Sequence, residues 1–264
     1  MLRAVGIEHT ILSSAEGAVL VVPAREGLRA GNELAAYAKE QQDSKPVTLP
    51  APPVAESRRG ALCYVALLVV FFFAQHQGWA GLPWTAAGRT EATLITGGAW
   101  WRCVTALCLH GDVPHLAGNL FFGLLFGVFV CQLFGNGVGW LLIVLGGALG
   151  NGANAFIQLA EHRSLGASTA VFAALGLLVS CSFRRASIQG RSRMLRWAPL
   201  AAGLALFGLL GVEGENTDVL AHVTGMVCGG VMGSVFTAIA RAIHAPSGPL
   251  ARPYQHLAAA ATFC

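Results

Sequence analysis

Six long apolar segments fill most of the chain after residue 60, and they constrain the fold more than any other feature of the sequence. Each has close to the ~17–25 residues that a helix needs to cross the hydrocarbon core of a bilayer. A helix can satisfy its own backbone polar groups in lipid, where water is absent. The sequence therefore predicts an all-α polytopic membrane protein with six transmembrane helices. These helices are expected at residues 60–75, 113–134, 138–160, 167–183, 197–213 and 219–240.

The composition argues against a soluble protein. Of the 264 residues, 55% are hydrophobic and only 11% are charged, whereas about a quarter of the residues in a soluble domain are charged. The net charge of +4 comes mainly from arginines, whose positions follow the predicted topology, and we expect no nucleic-acid partner. The seven cysteines are odd in number and lie mostly in apolar segments, so no disulfide framework is predicted.

The residues before the first apolar segment have the pattern of a small water-soluble unit. Residues 18–22 predict a short buried strand, and residues 25–40 mix apolar and charged positions as an amphipathic helix does. Residues 41–59 contain four prolines among polar residues, which is typical of an extended linker. We therefore expect a cytoplasmic α/β appendage at 1–40, a linker at 41–59, a membrane domain at 60–243 and a cytoplasmic tail at 244–264.

Arginine falls mainly on one side of the predicted bundle. Six spans alternate the side on which each loop lies, and arginine-rich loops stay in the cytoplasm. Every acidic residue after position 60 falls on the opposite side. Both termini are therefore predicted to be cytoplasmic, and the compact six-span form favours a bacterial inner membrane. The cytoplasmic arginines are Arg58, Arg59, Arg184, Arg185, Arg191, Arg193, Arg196, Arg241 and Arg252.

This orientation brings the N-terminal ends of the second, fourth and sixth spans to one depth near the outer surface, where four polar residues lie. His115 and Asn119 are four residues apart and share one helix face. Ser168 follows a glycine-containing loop at the start of its helix, where free backbone N–H groups can stabilise an oxyanion. His222 is the candidate base for the Ser168 hydroxyl.

Glycines on the sixth span favour close approach of another helix. Gly225, Gly229 and Gly233 repeat every four residues, which is the small-xxx-small pattern of tightly packed membrane helices. The fourth span also carries small residues near its start. We therefore expect these two spans to pack closely enough for a hydrogen bond between Ser168 and His222.

Four short motifs follow one another in the membrane domain. They are Trp101-Arg102, the run His110-Gly111-Asp112-Val113-Pro114-His115-Leu116-Ala117-Gly118-Asn119, Gly166-Ala167-Ser168, and Ala221-His222-Val223-Thr224-Gly225 followed by Gly229. In this order they resemble the motifs of the rhomboid family of intramembrane serine proteases, over roughly residues 60–243. The resemblance implies a six-helix rhomboid-like bundle.

The resemblance also implies a catalytic dyad without a carboxylate partner. Ser168 would be the nucleophile and His222 the general base. His115 and Asn119, with the backbone N–H of Ser168, would stabilise the oxyanion. Such chemistry needs no cofactor.

Further implications concern the first loop and the substrate. Trp101 and Arg102 match a structural loop motif of the family. The expected substrates are membrane-anchored proteins that are cut in or beside a transmembrane segment, at an active site that opens to the outer side of the lipid bilayer.

Two residues raise separate questions about this assignment. Thr169 follows the serine where the most familiar family pattern has glycine, which bears on the geometry of the loop. Asp218 lies four residues before His222 and could share its helix face, as the acid of a triad would.

Two other functions are compatible with parts of the sequence. A non-catalytic rhomboid-like scaffold would use the same fold, although such proteins typically lack the serine or the histidine. A metal site could be imagined from Cys103, Cys108, His110 and His115, but their spacing does not match a paired structural zinc site, and no metal is predicted.

Overall fold

A computed structural model describes residues 2–14, 17–43, 54–188, 192–210, 218–242 and 252–263 of the chain. The chain divides into two compact units, Met1–Leu49 and Pro50–Cys264. The four prolines of the predicted linker lie outside the described residues. Helices continue to Asp43 and begin again at Val54, so they extend a few residues into the predicted linker from both sides.

The first unit contains a hairpin and a helix. Strands β1 (Thr10–Ser14) and β2 (Gly17–Val21) pair antiparallel, and helix α1 (Gly27–Asp43) follows after a short 3-10 turn. Leu2, Ile7 and Ala30 form its buried cluster. The predicted strand at 18–22 largely coincides with β2, whereas β1 was not predicted because it has only two apolar residues, Ile11 and Leu12, and no continuous apolar run.

The second unit is built from long helices with short elements in the first loop. Helix α6 matches the predicted bounds of 113–134 because Asp112 caps its start and Gly135, with φ of +84°, ends it. In chain order the elements of this unit are α2 (Val54–Gln77), α3 (Trp84–Gly88), β3 (Thr90–Glu91), α4 (Ala92–Thr96), α5 (Arg102–Thr105), α6 (Val113–Phe134), α7 (Asn136–Ile157), β4 (Arg163–Ser164), α8 (Ser168–Ile188), α9 (Arg193–Leu210), α10 (Val219–Ala242) and α11 (Arg252–Phe263). Helices α2, α7, α8, α9 and α10 follow the other predicted apolar segments, with bounds that differ by up to six residues, whereas the short elements and α11 lie outside those segments.

Four of these helices are long and apolar enough to cross a membrane. They are α2 over Arg59–Gln77, all of α6, all of α7, and α10 over Val219–Ile239. The apolar part of α8, Ser168–Arg184, is shorter. The fifth segment predicted from the sequence coincides in part with α9 and continues beyond the described residues. The count of six spans therefore stays a prediction.

Helix α8 lies at the centre of the second unit. It packs against α6, α7, α9 and α10, and its residues from Val171 to Leu177 are buried throughout. Burial on all sides explains why the helix is apolar around its whole circumference. Any group at the N-terminal end of α8 is consequently surrounded by three other long helices.

Helices α8 and α10 meet almost backbone to backbone. A Cβ atom on Gly225 would overlap the Thr169 carbonyl oxygen, and one on Gly229 would overlap the Ala173 carbonyl oxygen. Gly233 would meet the Ser180 hydroxyl in the same way. The three glycines of the small-xxx-small stripe therefore all lie against α8, and at Gly225 and Gly229 the α8 backbone leaves no room for a side chain.

Helix α11 packs on the turn between α6 and α7. The Gln255 side chain donates from Nε2 to the Phe134 carbonyl (2.8 Å), and its Oε1 accepts the Val138 N–H (3.0 Å). These bonds supply partners to backbone groups at the end of α6 and the start of α7, where the helices themselves provide none. Phe263 packs edge-on against Trp140 with ring centroids 6.2 Å apart. The region predicted as a cytoplasmic tail thus contains a helix that is part of the second unit.

Candidate active site

A cavity of about 1080 Å³ lies among the N-terminal ends of α6, α8 and α10. It is lined by all four residues that the sequence singled out for chemistry, namely His115, Asn119, Ser168 and His222. The arrangement follows from topology, because each residue lies in the first two turns of its helix. Other polar residues on the wall are Arg89, Asp112, Asn151, His162, Arg163, Ser164, Thr169 and Asp218.

Ser168 begins α8 directly after a sharp turn at Gly166, whose φ of +131° favours glycine. A Cβ atom at Gly166 would lie 2.7 Å from His115 Nε2 and 3.8 Å from Ser168 Oγ. The His115 ring and the serine hydroxyl therefore flank the same small space. Since the first N–H groups of a helix have no intrahelical partner, donors for an oxyanion are available beside that hydroxyl.

His110 supports the loop that delivers the serine. Its side chain is fully buried, and Nε2 accepts the Ala167 N–H (3.3 Å). Gln75 holds the His110 backbone reciprocally, with Nε2 donating to the carbonyl (3.1 Å) and Oε1 accepting the N–H (3.2 Å). Burial and the neighbouring His115 lower the pKa of His110 to about 4, which keeps the ring neutral and able to accept. From the sequence, His110 is part of the motif before the second span and a possible metal ligand, and its support of the Ala167 N–H was not predicted.

His115 and Asn119 lie on successive turns of α6. Asp112 Oδ1 accepts the His115 N–H (2.7 Å) and caps the helix. Asn119 is buried; its Nδ2 donates to the His115 carbonyl (2.9 Å), while its own carbonyl accepts the Tyr64 hydroxyl (2.8 Å). These bonds fix the part of α6 that faces the cavity.

His222 is buried in the first turns of α10 and stacks on Phe172. The ring centroids are 4.4 Å apart and the planes differ by 28°. Phe172 lies one helical turn after Ser168 on α8, so the stack holds the imidazole over the helix that carries the serine. The four-residue spacing from Ser168 was visible in the sequence, but an aromatic residue in an apolar helix gave no functional signal.

The Asp218 carboxylate accepts hydrogen bonds from three neighbouring groups. Its Oδ2 accepts His162 Nε2 (2.7 Å) and Asn154 Nδ2 (2.9 Å), and its Oδ1 accepts the Ala221 N–H (3.0 Å). Burial alone would raise the pKa of Asp218, but the hydrogen bonds from His162 and Ala221 outweigh burial, and the pKa is lowered. The carboxylate therefore stays ionised at neutral pH.

Trp101 and Arg102 lie in the first loop, outside the cavity lining. The Arg102 guanidinium donates to the carbonyls of Ala86 (3.1 Å) and Arg89 (2.9 Å), and this ties α5 to the end of α3. Trp101 is half exposed. Arg102 thus connects parts of the first loop, while the structural role that the sequence suggests for Trp101 stays a prediction.

The four candidate metal ligands do not converge. His110 and His115 are adjacent, with ring centroids 5.1 Å apart, but Cys103 is buried in a separate apolar cluster with Ala92 and Ile95. Across the described ranges, no group of three or more histidine, cysteine or acidic residues could hold a metal ion.

The sequence of this chain is similar to a family model and to several named proteins. Residues 97–239 match the family model described as "Rhomboid domain". The chain is 29% identical over 184 residues to rhomboid protease GluP of Bacillus subtilis (strain 168), which covers 67% of this chain and 34% of that protein. It is 25% identical over 138 residues to putative rhomboid protease YdcA of the same organism, covering 52% of this chain and 67% of the relative.

The chain is also similar in sequence to a plant protein. Rhomboid-like protein 11, chloroplastic, of Arabidopsis thaliana is 32% identical over 146 residues, which is 51% of each chain. The alignment with GluP spans only about a third of that protein.

Proposed function

The chain belongs to the rhomboid family, and we propose from that premise that it is an intramembrane serine endopeptidase with a Ser168 and His222 dyad. It is an integral membrane protein, and four helices within the described residues have spanning length and composition. The observation that carries the proposal is that three helices contribute Ser168, His222, His115 and Asn119 to one shared cavity.

The proposed reaction begins with proton transfer. His222 accepts the Ser168 hydroxyl proton while Oγ attacks the carbonyl carbon of the scissile peptide. The carbonyl oxygen becomes an oxyanion, and the side chains of His115 and Asn119 with the Ser168 N–H stabilise it. When the intermediate collapses, His222 gives the proton to the leaving amine; water then hydrolyses the acyl-enzyme by the same two steps.

The proposed substrates are membrane-anchored proteins. Peptide groups within a transmembrane helix are already hydrogen-bonded, so a segment must unwind before its carbonyl can reach Ser168. The proposed topology places both termini in the cytoplasm and opens the cavity to the outer side of a bacterial inner membrane. Water for the second half of the reaction would enter from that side.

Covalent labelling tests the dyad most directly. The full chain, purified in mild detergent, is incubated with a fluorescent fluorophosphonate and separately with a labelled single-span model substrate. We expect wild type to label and to cleave, and Ser168→Ala and His222→Ala to do neither. Ser187→Ala, which removes a serine elsewhere on α8 that bonds the Phe183 carbonyl, should label like wild type.

Two outcomes would change the assignment. A folded wild type that neither labels nor cleaves would replace the proposal with the non-catalytic scaffold. Labelling that persists in Ser168→Ala would place the nucleophile elsewhere.

A further inference from the structure

One carboxylate joins the helix of the proposed base to two other segments. Asp218 receives hydrogen bonds from Asn154 near the end of α7, from His162 in the loop between α7 and α8, and from the Ala221 N–H in the first turn of α10. The Asp218 side chain is only 12% exposed. A buried carboxylate with three donors is held firmly, because charge-assisted hydrogen bonds are among the strongest in proteins.

The contact with Ala221 is a helix cap. Asp218 precedes α10, its Oδ1 accepts the N–H three residues on, and its carbonyl accepts the His222 N–H (3.2 Å). Side-chain and backbone oxygens of one residue thus fix the first turn of α10. His222 lies in that turn, so any tilt or fraying there would move the imidazole.

The contact with His162 reaches the segment that delivers the serine. His162 lies six residues before Ser168, and the loop between them is held by Thr90, whose Oγ1 accepts the Ser164 N–H (2.9 Å). The His162 carbonyl accepts the Ala92 N–H (3.1 Å). Because this loop is held by several hydrogen bonds, the bond from His162 fixes the position of Asp218 relative to the loop that leads to Ser168.

We propose that Asp218 is a positioning residue, which sets the placement of His222 relative to Ser168 by bonding His162, Asn154 and the start of α10. In this proposal Asp218 holds these segments in place and transfers no proton itself. The inference rests on the proposed dyad. It assigns to this acid a role distinct from that of a triad acid, which would hold the imidazole directly.

Three substitutions at position 218 separate the possible roles. Asp218→Ser keeps an oxygen that can cap α10 but loses the bridge to His162 and Asn154. Asp218→Asn keeps the cap through its amide oxygen and places its NH2 where Oδ2 accepts from Asn154 and His162. The bridge is then kept by rotation of the Asn154 amide, whose Oδ1 accepts no hydrogen bond within the described part of the chain, and by the His162 tautomer in which Nε2 accepts. Glu161→Gln removes an exposed acid from the same loop and serves as the matched control.

The measurement is the kinetics of fluorophosphonate labelling by the full chain in detergent, resolved into kinact and KI, with the Tm of each variant. We expect Asp218→Ser to lower kinact about tenfold while KI changes less than about twofold, because misplacement of reacting groups affects the chemical step. Asp218→Asn should stay within about threefold of wild type, and Glu161→Gln should match it. Adding His162→Ala to Asp218→Ser should cause little further loss, since both remove one bridge.

Several results would overturn the inference. Asp218→Ser with wild-type kinact would show that the bridge does not position the dyad. A loss on the order of 10³-fold or more in Asp218→Asn would indicate a triad acid instead. If Asp218→Ser does not fold, His162→Ala replaces it: a lowered kinact supports the inference, and a wild-type value overturns it. A folded wild type that never labels removes the proposed function, and this inference with it.

Discussion

The two sides of the candidate site are held by different kinds of contact. On the His222 side, α10 meets α8 through glycines whose Cα atoms lie against backbone carbonyls. On the His115 side, α6 and the loop before it are held by side-chain hydrogen bonds from α2, namely Tyr64 to the Asn119 carbonyl and Gln75 to the His110 backbone.

The difference matters because backbone contacts have neither rotamers nor titratable groups. The separation of α8 and α10 at Gly225 and Gly229 is therefore set by backbone contact, with little freedom to adjust, whereas the first turn of α10 also depends on the Asp218 side chain. The α6 side depends on hydroxyl, amide and imidazole groups, which respond to protonation and to single substitutions. We call the contact of α8 with α10 the rigid side, and its helices carry the proposed nucleophile and base. We call the contact of α6 with α2 the adjustable side, and α6 carries the proposed oxyanion groups.

The largest expected effect comes from adding one methyl group to the rigid side. Gly229→Ala would drive Cβ into the Ala173 carbonyl oxygen, and we expect it to destabilise the protein by about 3 kcal/mol or more and to abolish labelling. The adjacent Gly230 has only a Gly176 carbonyl 3.8 Å from its Cβ position, so Gly230→Ala should stay within about 1 kcal/mol of wild type. Thermal unfolding in detergent measures the stability of both variants. Equal Tm values would contradict the conclusion that close backbone contact fixes the α8–α10 separation.

The next effect is a pH dependence on the adjustable side. The pKa of His110 is lowered from 6.5 to about 4 in the folded protein, so the unfolded chain binds a proton between these values that the folded chain does not. The stability that His110 contributes is fully present above pH 6.5 and is lost as pH falls toward 4, by roughly 3 kcal/mol. Tm measured from pH 7 to pH 4.5 should fall less steeply in His110→Gln than in wild type. Parallel slopes would contradict the role of the neutral ring.

Thr169→Gly tests whether the rigid side also needs a side chain. The Thr169 methyl lies 2.8 Å from the Cβ position of Gly150 and 3.0 Å from that of Gly225, and the residue is buried. Removing it leaves a small void and a flexible first turn, which we expect to cost about 1–2 kcal/mol while labelling of Ser168 persists. If stability rises instead, the familiar family glycine suits this loop better than threonine.

The smallest expected effect is the loss of one hydrogen bond. Tyr64→Phe removes the donor to the Asn119 carbonyl but keeps the stack on Trp140, whose ring centroid is 4.9 Å away. We expect a loss of about 1 kcal/mol in unfolding free energy and labelling within about threefold of wild type. A larger loss than that of Gly229→Ala would reverse the assignment of the rigid and adjustable sides.

Local signals made the helices predictable from the sequence. The bounds of α6 were readable because a capping aspartate and a terminating glycine both mark its ends. The grouping of His115, Asn119, Ser168 and His222 followed from their equal depth in alternating spans, while their catalytic roles stay a prediction. The number of spans also stays a prediction, since length and composition qualify four helices.

Contacts between distant loops were not predictable. The bond from Ala167 to His110 joins residues 57 positions apart, and the bond from His162 to Asp218 joins residues 56 apart. Neither has a periodicity or a motif that marks it, because each depends on which loops meet once the helices have packed. The role of Asp218 as a bridge instead of a triad acid is one consequence of such a contact.

The Gln255 bridge has a consequence for the order of biosynthesis. The ribosome adds this residue 117 positions after Val138, when α6 and α7 have long since left the exit tunnel. Until then the Phe134 carbonyl and the Val138 amide must bind water in place of the glutamine. The turn between α6 and α7 is therefore one of the first parts of the membrane bundle to be made and one of the last to be completed.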